Sequence, residues 1–239
     1  MKNPQIAIVV PTYNEKDNIP VLIESINKQQ KNATIFIVDD QSPDGTAKVI
    51  RKLQKKYSNL KLISNSLKMG RGNAVIVGFK KALKDKNFKI FIEMDADLSH
   101  QPTELNQLIK IVKKSNKNVA IASRYTKGGK TLNWPIYRKV SSFIANHLLG
   151  ILLDLKLSDY TNGFRAYSRI AIKEICQQQL VTTSYFTLTE VALILKKADF
   201  VFVETPCVFP NRTKGKSNTS VREILNNLKD FYKVKVRYH

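Results

Sequence analysis

The chain has 239 residues, and its 40 lysines and arginines against 19 aspartates and glutamates give a formal charge of +21. So basic a balance excludes an ordinary near-neutral surface and points to anionic partners: nucleic acid, a membrane surface or phosphorylated substrates. Its 43% apolar content supports a full core, its length suits one large α/β domain, and its two cysteines, Cys176 and Cys207, exclude a disulfide scaffold and fit a reducing compartment.

Ile6 to Val10 reads as a buried strand ended by Pro11-Thr12-Tyr13-Asn14-Glu15, and a helix follows with Pro20 near its start and Leu22, Ile23 and Ile26 facing inward. Thr34 to Val38 is a second strand, ended by Asp39-Asp40-Gln41-Ser42-Pro43-Asp44-Gly45. Thr46 is placed to cap the next helix, with Val49, Ile50, Leu53 and Tyr57 as its apolar stripe. Leu60 to Ser64 is a third strand, and Gly70 and Gly72 lead into a helix through Ala74, Val75, Phe79 and Leu83. Ile90 to Met94 is a short apolar strand that runs into Asp95-Ala96-Asp97-Leu98-Ser99-His100. Pro102 then starts a helix with Glu104 in its first turn, before a strand at Val119 to Ser123. Strand and helix alternating in this way predict a parallel sheet covered on both faces, joined by right-handed crossovers. The chain is expected to carry no signal peptide, and no run reaches the roughly 20 apolar residues of a spanning helix. The longest candidate, Val140 to Leu153, is broken by serines, Asn146 and His147.

Polar clusters fall at strand ends: Tyr13 to Glu15, Asp39 to Asp44, and Asp95 to Ser99. In open α/β sheets ligands bind beyond the carboxyl ends of the strands, so one crevice collects all of these. A nucleotide suits it: Tyr13 can pack on a base, and Asp40 can accept hydrogen bonds from base or ribose. Asp95 and Asp97 repel one another unless a cation lies between them, and a hard divalent ion on a diphosphate would serve. From the pattern alone the pair reads equally as turn or cap carboxylates. Other signatures fail: Gly70-Arg-Gly72 lacks the third glycine of a dinucleotide fingerprint, and Gly128-Gly129-Lys130-Thr131 lacks the earlier glycine of a P-loop.

The segments PTYNE at 11–15, VDDQSPDGT at 38–46, MDADLSH at 94–100, ASRYTKGG at 122–129 and NWPIYRK at 133–139 occur in a characteristic order. Asp159-Tyr-Thr-Asn-Gly163-Phe164 and Phe209-Pro-Asn-Arg212-Thr-Lys-Gly215-Lys-Ser217 continue it. Over nearly its whole length the chain resembles the polyprenyl-phosphate (dolichyl-phosphate) mannosyltransferases of glycosyltransferase family 2. The resemblance implies a GT-A fold over 1–239, with a nucleotide-sugar half at 1–125 and an acceptor half at 126–239. It implies nucleotide contacts at Pro11, Tyr13, Glu15, Val38 and Asp40. It also implies a motif, Asp95-Ala96-Asp97, that binds Mg2+ or Mn2+ and the donor diphosphate, with Ser99 as a further metal contact. Arg124 and Arg138 match positions that hold the acceptor phosphate, and Arg212 matches a basic residue that closes over the phosphates. Asn218 departs from the family's lysine, with Lys214 and Lys216 close by. The implied reaction transfers a hexose with inversion from a nucleotide diphosphate-sugar to a polyprenyl phosphate. GDP-mannose is the favoured donor and a UDP-sugar the alternative.

The charge pattern supports an anionic acceptor. Leu105 to Leu153 holds nine lysines and arginines and no carboxylate, beside Trp134, Tyr137 and the apolar segment Phe143 to Leu153. This reads as a surface that lies on anionic lipid at the cytoplasmic face of a membrane, with Leu149 and Leu152 among the residues expected to dip into it. The competing reading of the helix is core packing. The tail is expected to add a helix with Val221, Ile224, Leu225, Leu228 and Phe231 on one stripe and Lys229, Lys233, Lys235 and Arg237 nearby. A membrane partner subunit is the alternative means of recruitment. One rival is a family-2 enzyme acting on a sugar or protein hydroxyl, with Glu190 or Asp159 as its base. Another is a basic nucleic-acid-binding module, which the acidic clusters argue against, so no nucleic-acid partner is expected.

Overall fold

The computed structural model describes residues 5–153, 155–182 and 186–211, together with Asp230, 232–234 and 236–238. Nine strands and seven α-helices follow one another along these residues. They are β1 (Gln5–Thr12), α1 (Ile19–Gln29), β2 (Ala33–Asp39), α2 (Thr46–Gln54), β3 (Leu60–Ser64), α3 (Arg71–Leu83), β4 (Phe88–Glu93) and α4 (Leu105–Lys114). The second half adds β5 (Asn118–Ser123), β6 (Lys130–Leu132), α5 (Ile136–Leu153), β7 (Arg165–Ser168), α6 (Arg169–Gln177), α7 (Thr187–Lys197), β8 (Val201–Pro206) and β9 (Val208–Pro210). A central sheet of order β3-β2-β1-β4-β7-β5-β8 is parallel except for β7, which runs antiparallel to both β4 and β5; β6 and β9 pair separately. The mostly parallel, doubly covered sheet expected from the alternation is present. The antiparallel β7 is the element that periodicity did not announce.

Alternation along each strand feeds two apolar layers. Ile6, Ile8 and Val10 of β1 join Ile35 and Ile37 of β2 and Ile90 and Ile92 of β4 under α1, α2 and α4, where Leu22, Ile23, Ile26, Ile50, Leu105 and Leu108 are buried. Ala7, Val9, Phe36, Val38 and Phe91 point the other way, onto Val75 and Phe79 of α3, Ile172 and Ile175 of α6, and Val191 of α7. Each fully buried aliphatic side chain contributes roughly 1.5–3 kcal/mol, so these layers drive the fold.

Two local expectations change. Gly45, not Thr46, holds the cap position of α2, with φ 90°, and Asp44 accepts from the Thr46 amide at 3.0 Å. Pro102 opens a 3-10 turn, Pro102–Glu104, and α4 begins only at Leu105. Glu104 is thereby turned toward β9, where it accepts from the Val208 amide at 2.8 Å, and burial raises its pKa. The last turns of α1, α2, α3, α4 and α7 carry Lys28, Arg51 and Lys52, Lys80 and Lys81, Lys113 and Lys114, and Lys196 and Lys197. These cations complement the negative ends of the helix dipoles.

Helix α5 has two apolar faces. One turns inward: Asn146 is buried, Leu149 is half-buried, and Leu153 is buried beside Leu155, Tyr160 and Val234. The other is exposed, with Ile136, Tyr137, Val140, Ile144, Leu148 and Ile151 each at least half accessible. The lipid-facing expectation at Leu149 is thus corrected, because that residue packs inward, and the side chain of Leu152 lies outside the described residues. Arg212, Lys214, Lys216, Ser217 and Asn218 also lie outside them. So do Val221, Ile224, Leu225, Leu228, Lys229, Phe231 and Lys235 of the tail.

Candidate active site

The chain reverses its direction across the sheet between β1 and β4, and the site forms where their carboxyl ends separate. The loops after β1 and β2 are latched together. The amides of Asn14, Glu15 and Lys16 donate to Ser42 Oγ, Thr46 Oγ1 and Asp44 Oδ2 at 2.9, 3.0 and 3.2 Å. Asn14 and Gln41 adopt left-handed φ values of 60° and 61°, which make these turns sharp. Glu15 accepts from Asn18 Nδ2 at 2.6 Å. Tyr13 is half-buried at the crevice edge, with Lys68 Nζ 3.6 Å from its ring centroid. Asp40 is committed elsewhere. Its carboxylate accepts from Asn65 Nδ2 at 3.1 Å and from the amides of Met69 and Gly70 at 2.8 Å, so it anchors the loop that leads into α3. Pro11 is buried in β1, and the Val38 side chain belongs to the core beneath α3.

At the end of β4 the Asp pair is held by specific partners. Asp97 is 6% exposed, and its Oδ1 accepts from the Ser99 amide at 3.1 Å and from Ser99 Oγ at 2.5 Å across a left-handed Leu98. Ser99, expected among the metal ligands, bonds Asp97 through both its amide and its hydroxyl and so orients it. Ala96 is buried in the core between the two aspartates. Asp95 Oδ1 accepts from Arg71 Nε at 2.9 Å. The same guanidinium donates to Glu93 Oε2 at 2.9 Å and to the Gly163 carbonyl at 3.4 Å, while Tyr167 Oη donates to Glu93 Oε1 at 2.6 Å. The Asp95 amide donates to His100 Nδ1 at 2.8 Å, so the neutral imidazole carries its proton on Nε2. Burial lowers the His100 pKa against the opposing pull of Asp95 and Asp97, and the ring stacks on Phe164 at 5.1 Å.

Among the described residues no group of three His, Cys, Asp or Glu side chains converges as a metal cage. Asp95 and Asp97 are hard oxygen donors separated by one residue, Ala96. That set fits a hard divalent ion whose remaining ligands come from phosphate oxygens or water.

The second bank of the crevice is built on Arg124, at the end of β5. It is 7% exposed and donates from its amide, Nε and Nη2 to Asp159 at 3.0, 2.7 and 2.6 Å, with a further Nη2 bond to Thr161 Oγ1 at 2.6 Å. Asp159 sustains the charge and raises the Arg124 pKa in spite of desolvation. Gly129 presses on this turn: a Cβ there would stand 2.5 Å from the Ser123 carbonyl oxygen. The loop beyond Asp159 is folded around Arg165, which is fully buried and donates to the carbonyls of Asn162, Leu188 and Tyr160 at 2.9, 2.8 and 2.8 Å. Arg138, on the first turn of α5, lies 3.9 Å over the Trp134 ring and donates to Asn211 Oδ1 at 2.7 Å. The expected acceptor arginines thus differ in kind. Arg124 is a buried member of an ion pair, and Arg138 is half-buried at the mouth.

A family model described as glycosyl transferase family 2 matches residues 7–176. The chain belongs to glycosyl transferase family 2. A dolichol-phosphate mannosyltransferase of Pyrococcus furiosus is 34% identical over 96% of this chain, which spans 63% of that relative's length. A polyprenol monophosphomannose synthase of Mycolicibacterium smegmatis is 33% identical over 89% of the chain and 80% of the relative. An undecaprenyl-phosphate mannosyltransferase of Micrococcus luteus is 31% identical over 90% and 88%. Among solved structures, glucosyl-3-phosphoglycerate synthase of Mycobacterium tuberculosis, in complex with Mn2+, UDP and glucosyl-3-phosphoglycerate, superposes with a TM-score of 0.71. That match has 15% identity and covers 99% of this chain and 80% of the other. This likeness carries the fold alone, and the fold is GT-A.

In this family-2 glycosyltransferase both carboxylates considered as a general base are committed. Asp159 neutralises Arg124. Glu190, on α7, is fully buried and accepts from the amides of Val181 and Thr182, from Thr182 Oγ1 and from Tyr238 Oη at 2.9, 3.0, 2.6 and 3.0 Å. Sequence reasoning missed Arg71, Glu93 and Tyr167. A signal for Arg71 was present: it directly follows Gly70 at the start of α3, another carboxyl-end loop of the sheet. Glu93 and Tyr167 carried no signal, because they meet only through β7.

Proposed function

We propose that the chain transfers a hexose, with mannose from GDP-mannose favoured over a UDP-sugar, to a polyprenyl phosphate with inversion at the anomeric carbon. The observation that carries this reading is the commitment of Asp159 and Glu190 to internal partners. A hydroxyl acceptor needs a base to take its proton, whereas a phosphate monoester is an anionic nucleophile at neutral pH and needs only positioning. The names of the relatives from Pyrococcus, Mycolicibacterium and Micrococcus point to the same acceptor class.

Asp95 and Asp97 would hold Mg2+ or Mn2+, which when bound offsets charge developing on the departing diphosphate. Ser99 and Arg71 keep those carboxylates aimed into the crevice. Tyr13 and Glu15 border the nucleotide side, with Pro11, Val38 and Asp40 shaping its floor through the backbone and the anchored 65–70 loop. Arg138 meets the lipid phosphate at the mouth, with Arg124 behind it and Arg212 contributing from outside the described residues.

The acceptor reaches the site from a membrane surface. No helix among the described residues is long and apolar enough to cross a bilayer. The exposed face of α5 beside Lys139, Arg138 and Lys130 suits peripheral contact with an anionic leaflet at the cytoplasmic face. A panel of nucleotide-sugars offered with polyprenyl phosphate, read by product mass, tests the proposal. A lipid-linked hexose is expected only with divalent metal, and transfer to a hydroxyl acceptor alone would overturn it.

A further inference from the structure

Trp134 is the chain's only tryptophan. It stands just before α5, is 6% exposed, and its indole Nε1 is buried with no hydrogen-bond partner among the described residues. Its ring packs against two guanidinium groups, that of Arg124 being paired with Asp159, and against aromatic surface. Arg138 Cζ lies 3.9 Å from its centroid, Arg124 Cζ 5.4 Å, and the Phe209 ring meets it edge-on at 5.5 Å. A buried N–H without an acceptor is costly, and such groups are uncommon in folded proteins unless a ligand or ordered water completes them. Core packing explains a buried indole, and Phe209 supplies that packing. Asp159 accounts for Arg124, but neither it nor the packing explains the Arg138 guanidinium 3.9 Å over the ring beside an unsatisfied donor. An anion with several acceptor oxygens answers both features.

We propose that Trp134 Nε1–H donates a hydrogen bond to the acceptor's phosphate, between the guanidinium groups of Arg124 and Arg138. The inference rests on the lipid-phosphate reading above and adds to it a neutral, directional donor. Arginines attract any phosphate, the donor's diphosphate included. An indole N–H fixed by stacking selects one oxygen at one place and so favours the acceptor's monophosphate in binding.

Since no other tryptophan contributes, emission under tryptophan-selective excitation reports on this ring alone among the chain's aromatic residues. Geranyl phosphate and inorganic phosphate are expected to shift that emission, and geraniol to leave it unchanged. An equal response to phosphate and alcohol would overturn the inference. In turnover with polyprenyl phosphate, Trp134→Phe keeps an aromatic ring under Arg138 and removes the N–H. Acceptor KM should rise about tenfold while kcat and donor KM stay within about twofold. An unchanged acceptor KM in a folded variant would overturn the inference and leave the lipid-phosphate reading standing. If Trp134→Phe does not fold, the wild-type titration decides. Wild-type protein that makes no lipid product but glycosylates a hydroxyl would overturn the reading itself, and this contact with it.

Discussion

The guanidinium of Arg71 occupies the space in which a side chain on residue 163 would begin: a Cβ built on Gly163 stands 2.0 Å from Arg71 Nη2. This glycine closes the Asp159–Gly163 loop, and the arginine holds Asp95. The two banks of the crevice therefore meet in one close contact. Gly163→Ala should push Arg71 off Asp95 and Glu93 at about 1–3 kcal/mol, the usual range for overpacking. Arg71→Lys, which keeps the charge but loses the fork, should reproduce the loss of transfer. Thermal melts alongside turnover check this, and a fully active Gly163→Ala would refute it.

Removal of the metal should stop the reaction. Chelator should abolish transfer until Mg2+ or Mn2+ is restored, and Asp97→Asn should be inactive yet folded. Ser99→Ala is the finer test. Ser99 bonds and orients Asp97, so metal affinity should fall about 10–100-fold without being lost. Mn2+ binding followed by electron paramagnetic resonance reads this without reference to turnover.

Arg124 and Asp159 should behave as a buried pair. Loss of either partner alone should destabilise by about 3–5 kcal/mol, and the double replacement should cost less than the sum. Denaturant unfolding of the cycle Arg124→Ala, Asp159→Ala and both together measures that coupling. Additive effects would show that the pair does not act as a unit.

Arg138→Ala is consequently the cleaner probe of acceptor binding. It removes a half-buried cation at the mouth that donates to Asn211, and the fold should survive. Loss of one charge-assisted contact, about 1.5–3 kcal/mol, should raise acceptor KM by roughly 10–150-fold with donor KM unchanged. A donor-side effect of that size would reassign the residue.

The faces of α5 should respond oppositely to charge. Ile144→Asp with Leu148→Asp should leave circular dichroism unchanged and cut both binding to anionic liposomes and use of lipid acceptor. Leu149→Asp should destabilise the domain, because that side chain packs with Leu153 and Tyr160. Sedimentation with vesicles at low and high salt separates these outcomes.

Much of the donor side was legible because it is local. Strand periodicity placed β1, β2, β3, β4 and β5, and the strand-end rule put Tyr13, Asp95 and Asp97 at one edge. The partners of those residues were not legible. Asp40 turned inward because the amides of Met69 and Gly70, far along the chain, needed an acceptor. Arg124 turned inward because Asp159, on the loop that precedes β7, came to face it. Leu149 and Leu148 are neighbours in an apolar run, and only the packing of Val234 and Tyr160 told the inner face from the outer. Contacts of that range leave no periodic trace.

The lysines that end the helices have a consequence for how the molecule meets a surface. In a sheet of this kind the helices run counter to the strands, so Lys28, Lys52, Lys81 and Lys114 gather at the edge remote from the crevice. If the chain docks on an anionic leaflet as proposed, long-range attraction would act on that edge as well and give little torque. Orientation would then be left to short-range contact through the exposed side of α5. Arrival should slow steeply as salt rises, whereas residence once seated should depend on salt far less.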